Sequence, residues 1–416
     1  MLTSPLTVFR RSLLLVSAVA LLAVGCGSDG GSEQGDSGQG GGQGDASGFE
    51  VVTYNAGLAR GFVDYAVERS PEVAEAMSEL EAQLVAVQEV WNPEDVQAVV
   101  DATSETHPHS FFLDPQPELA EEEQARAEAA GSDGPACPEN EAVPLEDCAR
   151  QNCDGVPDDQ LSDCVLQSCG SEFAATCPEC QTCLAANIGG SLEDILGACA
   201  GDGAGGSFAY DGAFGIGILS AEPFIETDSL VLESSLNRRA VIYVQIEDPV
   251  LGTVDVFNTH LSANLDLGES PVPYPGEGSW AEEQATQIEV MNEWIDERTS
   301  DDRVAILAGD MNTSPEGENH TAETPENYEL LVSGGGWGDQ YSGSADAECT
   351  YCADNLLVGG EGDTGPVLDH ILIRNFDGEV TTRQVFTDPI DIEVEGEPVE
   401  TNLSDHHGLA TTLTPA

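Results

Sequence analysis

The chain has 416 residues, of which 40% are hydrophobic, enough for one large domain or two smaller ones. Its 77 acidic residues face only 12 basic ones, all arginine, for a formal net charge of -65. Such a field repels polyanions and excludes a basic DNA-binding module, although divalent ions or high salt screen it, and adaptation to a saline habitat accounts for the acidity equally well.

At the N-terminus Arg10 and Arg11 precede the apolar stretch LLLVSAVALLAV, followed by Gly25 and Cys26. That stretch is too short for a membrane span, which needs about 20 residues, so residues 1–25 are expected to be an export signal. AVGC resembles the bacterial lipobox, which implies lipidation of Cys26 and anchoring at the cell envelope, at the outer membrane, the periplasmic face or the cell surface. The glycine- and serine-rich stretch after Cys26, completing a segment 26–48, has nothing to bury and reads as a flexible tether reaching about 25 Å.

From residue 49 onward helices and strands alternate. VVTYNAG carries Asn55; Ser70 and Pro71 mark a helix start, and Val73, Met77, Leu80 and Leu84 recur at helical spacing before LVAV, a buried strand ending at Gln88 and Glu89. Asn92 and Pro93 open another helix. Polar stretches then bound a segment, residues 116–206, that holds nine of the 12 cysteines and reads as an insertion. In an exported chain that density marks a disulfide scaffold, and LEDCARQNC and LSDCVLQSC repeat one unit, so Cys148, Cys153, Cys164 and Cys169 can link two short helices in a pairing that sequence leaves open. CPECQTC, with Cys177, Cys180 and Cys183, is the alternative signal for zinc or an iron–sulfur cluster, but no cysteine follows at ferredoxin spacing. An odd number leaves one thiol outside internal bridges; Cys349 and Cys352 form a separate loop pair.

Beyond the insertion, RAVIYVQIE and TVDVFNTHL read as strands, the second ending at His260. Ser279 and Glu282 sit at capping-box positions of a helix whose Ile288, Met291 and Ile295 share a face, and VAILAGDMN follows as a buried strand. PVLDHILI and NLSDHHGLATTL are two further strand candidates, each with an Asp–His pair.

A polar set thus recurs at strand ends: Asn55, Glu89, His260, Asp310 with Asn312, Asp369, and Asp405 with His406. Each alone has an ordinary explanation as a turn, cap or core residue. Together, carboxylates, amides and imidazoles at so many strand ends fit one convergent site better than many unrelated loops. The ordered motifs TYNAG, VQEVW, NTHL, GDMN, LDHIL and SDHHG resemble the endonuclease/exonuclease/phosphatase superfamily over residues 49–115 and 207–416. The resemblance implies a single catalytic domain, residues 49–416, folded as a four-layer α/β sandwich of two facing mixed β-sheets flanked by helices, here with the disulfide-rich insertion.

It also implies hydrolysis of phosphoester bonds with Mg2+, or Mn2+ or Ca2+, by a phosphodiesterase or a phosphatase, as in a nuclease or in an enzyme of phospholipase C or sphingomyelinase type. Glu89, helped by Asn55, suits the primary metal position, and Asp405 a second one or a brace for His406. Asp310 is expected to deprotonate the attacking water and Asn312 to donate to the phosphoryl oxygen. His406, its pKa raised by Asp369, binds that oxygen when protonated, and His260 is the other site histidine. Arg60, Arg238 and Arg239 are candidate phosphate contacts. The substrate is a nucleic acid, a phospholipid headgroup or a small phosphoester; nothing in the sequence sets an oligomeric state. The alternative is a catalytically inactive envelope module that recognises a partner through the cysteine-rich insert.

Overall fold

The computed structural model describes residues 48–115, 135–156, 161–188, 190–200, 208–266, 272–275, 278–360, 362 and 364–416. The expected signal, Cys26 and nearly all of the tether lie outside these residues. In chain order the described elements are β1 (Phe49–Asn55), α1 (Ala66–Ser78), β2 (Leu84–Gln88), α2 (Pro93–Thr103) and β3 (His109–Phe112). Next come α3 (Glu139–Asn152), α4 (Leu161–Phe173), α5 (Pro178–Ala186), α6 (Leu192–Ala200), β4 (Gly217–Ser220), β5 (Glu226–Leu232), β6 (Arg239–Asp248) and β7 (Gly252–His260). The rest comprises α7 (Trp280–Asp296), β8 (Val304–Asp310), α8 (Pro325–Glu329), β9 (Gly338–Asp339), β10 (Asp369–Arg374), β11 (Gly378–Val385), β12 (Ile390–Val394), β13 (Glu397–Thr401) and β14 (Gly408–Pro415).

Two six-stranded sheets result, ordered β11-β14-β1-β2-β4-β3 and β5-β6-β7-β8-β10-β9, with β12 and β13 as a separate hairpin. Both are mixed: β1 runs parallel to β2 and antiparallel to β14, and β7 parallel to β8. The period-two alternation of strand side chains builds the layers. In β8, Val304, Ile306 and Ala308 face the other sheet, while Ala305 and Leu307 pack on α7 through Ile288, Met291 and Ile295. In β1, Val51 points inward and Val52 and Tyr54 point out to Val73 and Met77 of α1. The four-layer architecture is the one the motif order implies. A buried amide clamp joins the sheets: Gln88 Nε2 donates to Asn258 Oδ1 at 2.7 Å, and Asn258 Nδ2 donates to the carbonyls of Val87 and Gly217 at 3.0 and 2.8 Å.

Ser279 caps α7, accepting from the Glu282 amide at 3.2 Å. The first helix departs from expectation: it begins at Ala66, with Pro71 inside it. The buried Arg69 explains the earlier start, since its guanidinium reaches the carbonyls of Ala56, Gly57 and Leu403 and so ties this helix to the loops after β1 and before β14.

The cysteine-rich helices lie between β3 and β4, which pair antiparallel, so the segment leaves and re-enters one hairpin. Cys148–Cys169 and Cys153–Cys164 join α3 to α4, Cys183–Cys199 joins α5 to α6, and Cys137–Cys180 ties the segment's start to α5. Cys177 stands outside these bridges, with its thiol on the Ala136 carbonyl. The cluster around Cys137, Cys180, Cys183 and Cys199 is little more than cysteine and alanine, with Leu145 and Leu161 buried besides, and each bridge adds about 2–4 kcal/mol by constraining the unfolded chain. Ala185 and Ala186 of α5 pack on Leu236 and Trp280, which seats the segment against the start of α7.

Candidate active site

Strand parity delivers the polar set to one place. His260, Asp310 and Asp369 continue the inward-facing rows of β7, β8 and β10, and register puts them side by side: His260 opposite Asp310, and Asp310 opposite Asp369. Asn55 ends the inward row of β1 in the facing sheet. Its Nδ2 donates to Asp310 Oδ2 at 2.9 Å across the gap, which makes Asp310 the meeting point of both sheets.

The same Asp310 oxygen lies 3.4 Å from His260 Nε2 and 3.9 Å from His406 Nε2. Its other oxygen accepts from the Asn312 backbone amide at 2.9 Å. His406 Nδ1 bonds Asp369 Oδ2 at 2.8 Å, and His260 Nε2 lies 3.9 Å from Glu89 Oε1. Asp310, Asp369, His260 and His406 are all at most 5% exposed, so their charges act on one another with little screening by water.

That burial sets the protonation states. Desolvation lifts Glu89 to about 7, reinforced by the Asp405 carboxylate and opposed by His406, and it lifts Asp310 to about 6 against the pull of His406 and Asn55. Burial alone would lower His406, but Asp369 and then Asp310 outweigh it and hold the imidazole well above its ordinary range. His260 goes the other way, lowered far below its ordinary value by burial and by the neighbouring cations Arg239 and His406, and is therefore neutral. With carboxylates on its Nε2 side, the single proton belongs there, and Nδ1 is left buried without a partner.

Two site residues adopt left-handed backbone, Glu89 at φ 56° and Asn312 at φ 49°. Asparagine tolerates this; glutamate does so at a cost, and such costs collect at functional sites. Asn312 thus follows the strand rather than extending it, and its side-chain Nδ2 donates to the Leu261 carbonyl at 3.0 Å. Gly57, at φ 55°, lets Asp405 approach: a Cβ there would stand 2.5 Å from Asp405 Oδ1.

Among the described residues, Asp310, Asp369 and His406 have potential ligand atoms within 4.8 Å of one another. The Asp369–His406 hydrogen bond already joins two of them, so a cation there would compete with that bond. Glu89 and Asp405 fit a hard cation better. They are oxygen donors that repel each other in a desolvated cleft, and a cation relieves that repulsion. The Asn55 side chain is already engaged, donating to Asp310 and accepting from the Gly57 amide at 3.0 Å.

Of the three arginines, Arg239 lines the same cavity as Glu89, His260, Asp310, Asn312, Asp405 and His406, and one of its guanidinium nitrogens is buried without a hydrogen-bond partner. Arg60 and Arg238 do not line it. Arg60 is paired with both oxygens of Asp95, at 3.1 and 2.9 Å, and Arg238 lies over the Phe208 ring. Sequence reasoning missed the aromatic wall. Trp91 stacks on Tyr210, with ring centres 4.9 Å apart, and Tyr351 stands 5.0 Å from the His406 ring. The tryptophan of VQEVW was the available signal; Tyr351, within the Cys349–Cys352 loop, and Tyr210 had none.

Comparison with known proteins gives the same architecture. Sphingomyelinase C from Streptomyces griseocarneus superposes with a TM-score of 0.51 at 15% identity, covering 89% of this chain and 100% of that one. A mutant beta toxin from Staphylococcus aureus, with bound magnesium ions, gives 0.52 at 12% identity over 88% of this chain and 100% of that one. SmcL gives 0.52 at 12% identity, covering 88% and 99%. At these identities the likeness shows the fold. No curated protein matches the sequence. The sequence itself matches the Endonuclease/Exonuclease/phosphatase family over residues 52–406, nearly the whole described chain, so the protein belongs to that family of metal-dependent phosphoester hydrolases.

Proposed function

We propose that the chain is a magnesium-dependent phosphodiesterase exported to the cell envelope and held there through Cys26, its catalytic domain spanning residues 49–416 with the cysteine-rich insertion at 116–206. The observation that carries the catalytic reading is the convergence on Asp310 Oδ2 of Asn55 and His406, from β1 and the turn before β14 in one sheet, and of His260 from β7 in the other. The bridged cysteines support export.

A phosphoester resists attack because its anionic oxygens repel nucleophiles. Glu89 and Asp405, with Asn55 beside them, would hold the cation, and the bound ion supplies charge neutralisation at the phosphoryl group. Magnesium bound in the beta toxin supports that choice. Asp310, its basicity raised by burial, takes a proton from water as the water oxygen bonds to phosphorus and the ester P–O bond breaks. The leaving oxygen is protonated from bulk water, and Asp310 returns its proton there. Protonated His406, oriented by Asp369, donates from Nε2 to a phosphoryl oxygen. Neutral His260 donates from Nε2, the Asn312 amide has one hydrogen beyond the one held by Leu261 to offer, and Arg239 brings a guanidinium to the same anion.

The test is hydrolysis by the purified protein with magnesium against DNA, RNA, sphingomyelin, inositol phosphates and a nitrophenyl diester. Turnover that ceases in Asp310→Ala is the expected result. Inertness toward all five would reject the enzyme in favour of a binding module.

A further inference from the structure

The cavity that exposes the site side chains does not end with them. Its volume is about 820 Å³, within the range of small-molecule sites, and its wall continues onto the cysteine-rich helices. There Leu166 and Phe173 of α4 and Leu192, Ile195 and Leu196 of α6 line it, and Phe62 lines it from the loop before α1. These side chains are uncovered for a reason other than chance. Leu166 is 39% and Phe62 46% exposed, and the other four are only partly buried, whereas Leu145 of α3 and Leu161 of α4 are buried. Partly exposed apolar side chains gathered along one cleft, continuous with a buried polar site, form a wall suited to an apolar group. Glu146 is the acid on this part of the wall.

We propose that the insertion is an acyl-chain site, and that the substrate is an amphiphile with one phosphodiester, whose phosphate meets Asp310 and His406 while its hydrocarbon tail lies among Leu166, Phe173, Ile195 and Leu196. This rests on the phosphodiesterase reading and names its substrate class. The continuity of the cavity from buried acids, imidazoles and Arg239 to aliphatic side chains matches a molecule with a polar end and an apolar end. Charge agrees: a chain of net charge -65 disfavours a polyanion with one phosphate per residue, and much less a molecule with a single phosphate.

The experiment uses the full chain with magnesium and monomeric ethyl, hexyl and dodecyl esters of 4-nitrophenyl phosphate. Burying each methylene is worth up to about fourfold in affinity, so kcat/KM is expected to rise at least about a hundredfold from ethyl to dodecyl. Leu166→Asp and Ile195→Asp, each at a partly exposed position, should cut the dodecyl-to-ethyl ratio at least about tenfold. Because the readout is a ratio, the fraction of active protein does not enter it. Cleavage of the ethyl ester with a flat ratio in the unaltered protein, or a ratio unmoved in both variants, overturns the acyl-chain site and leaves the phosphodiesterase standing. Absence of cleavage of every ester overturns the phosphodiesterase instead. Calorimetry with dodecylphosphocholine then decides the cavity: binding weakened by both variants upholds a tail site, and no binding to the unaltered protein removes it.

Discussion

The Nδ1 atom of His406 lies 2.8 Å from Asp369 Oδ2, and this one bond sets both the direction and the charge of the imidazole. The ring's Nε2 is thereby turned toward Asp310, and the proton on it is retained well above the ordinary histidine range. Asp369→Asn keeps the shape and removes the negative charge, so the His406 pKa falls and its protonated form is lost at lower pH. The alkaline limb of the kcat/KM profile should move to lower pH, with kcat reduced about 100-fold. A limb that stays in place would detach Asp369 from this role.

Asp310 separates activity from stability. Its carboxylate is 1% exposed, lifted by burial and by the neighbouring Asp369 charge, so it is held at a cost to the fold. Asp310→Asn removes that charge, and its one amide oxygen still accepts from Asn55 at the loss of the acceptor for the Asn312 N–H, so the two effects on stability offset. Turnover should drop about 100- to 10,000-fold, while the thermal midpoint stays level or rises. A clear fall in the midpoint would mean that the carboxylate is a structural group.

Cation binding should depend on pH through Glu89. Burial and the Asp405 charge raise its pKa to about 7, so below that value the cation must first displace a proton. Magnesium affinity, measured by calorimetry, is expected to weaken as pH falls from about 7, by at most about tenfold per unit for one proton released. Glu89→Gln should weaken binding and flatten the pH dependence. Flat affinity in the unaltered protein would place the ion elsewhere.

The strands and the site were legible in the sequence for one reason: a strand has period two and an abrupt end. VAILAGD announces both its buried rows and the acid that continues one of them, and the same holds for the rows ending at His260 and Asn55. What parity cannot give is geometry past the last strand residue. Asn312, expected to donate to the phosphoryl oxygen, turns through a left-handed residue, and its amide bonds the Leu261 carbonyl. Arg60 and Arg239 look alike as scarce cations, and only the packing shows one committed to Asp95 and the other facing the cavity. The four bridges of the insertion were equally beyond reading, because spacing leaves many pairings open until the helices are docked.

A second Asp–His pair, Asp339 with His370, lies behind the site and should make stability depend on pH in both directions. His370 Nδ1 is 3.1 Å from Asp339 Oδ2, its Nε2 is 2.9 Å from the Thr313 carbonyl, and Asp339 also accepts from Tyr328 and from the Tyr341 and Ser342 amides. Burial alone would lower His370, but Asp339 overrides it and raises the value; burial would raise Asp339, but His370 and the hydroxyl donors bring it well below the usual carboxylate range. A raised histidine contributes stability that is complete below its unfolded value, about 6.5, and is lost as pH rises through the folded value. A depressed aspartate contributes stability that is complete above its unfolded value, about 3.9, and is lost as pH falls through the folded one. The pair therefore contributes most between about pH 4 and 6.5. His370→Gln should cost most in that window, near the lower end of the roughly 3–5 kcal/mol typical of a broken buried pair, because Asp339 keeps its other donors. Denaturant titrations of both proteins from acid to mildly alkaline pH check this. A difference that does not shrink on either side of the window would show that His370 acts by packing alone.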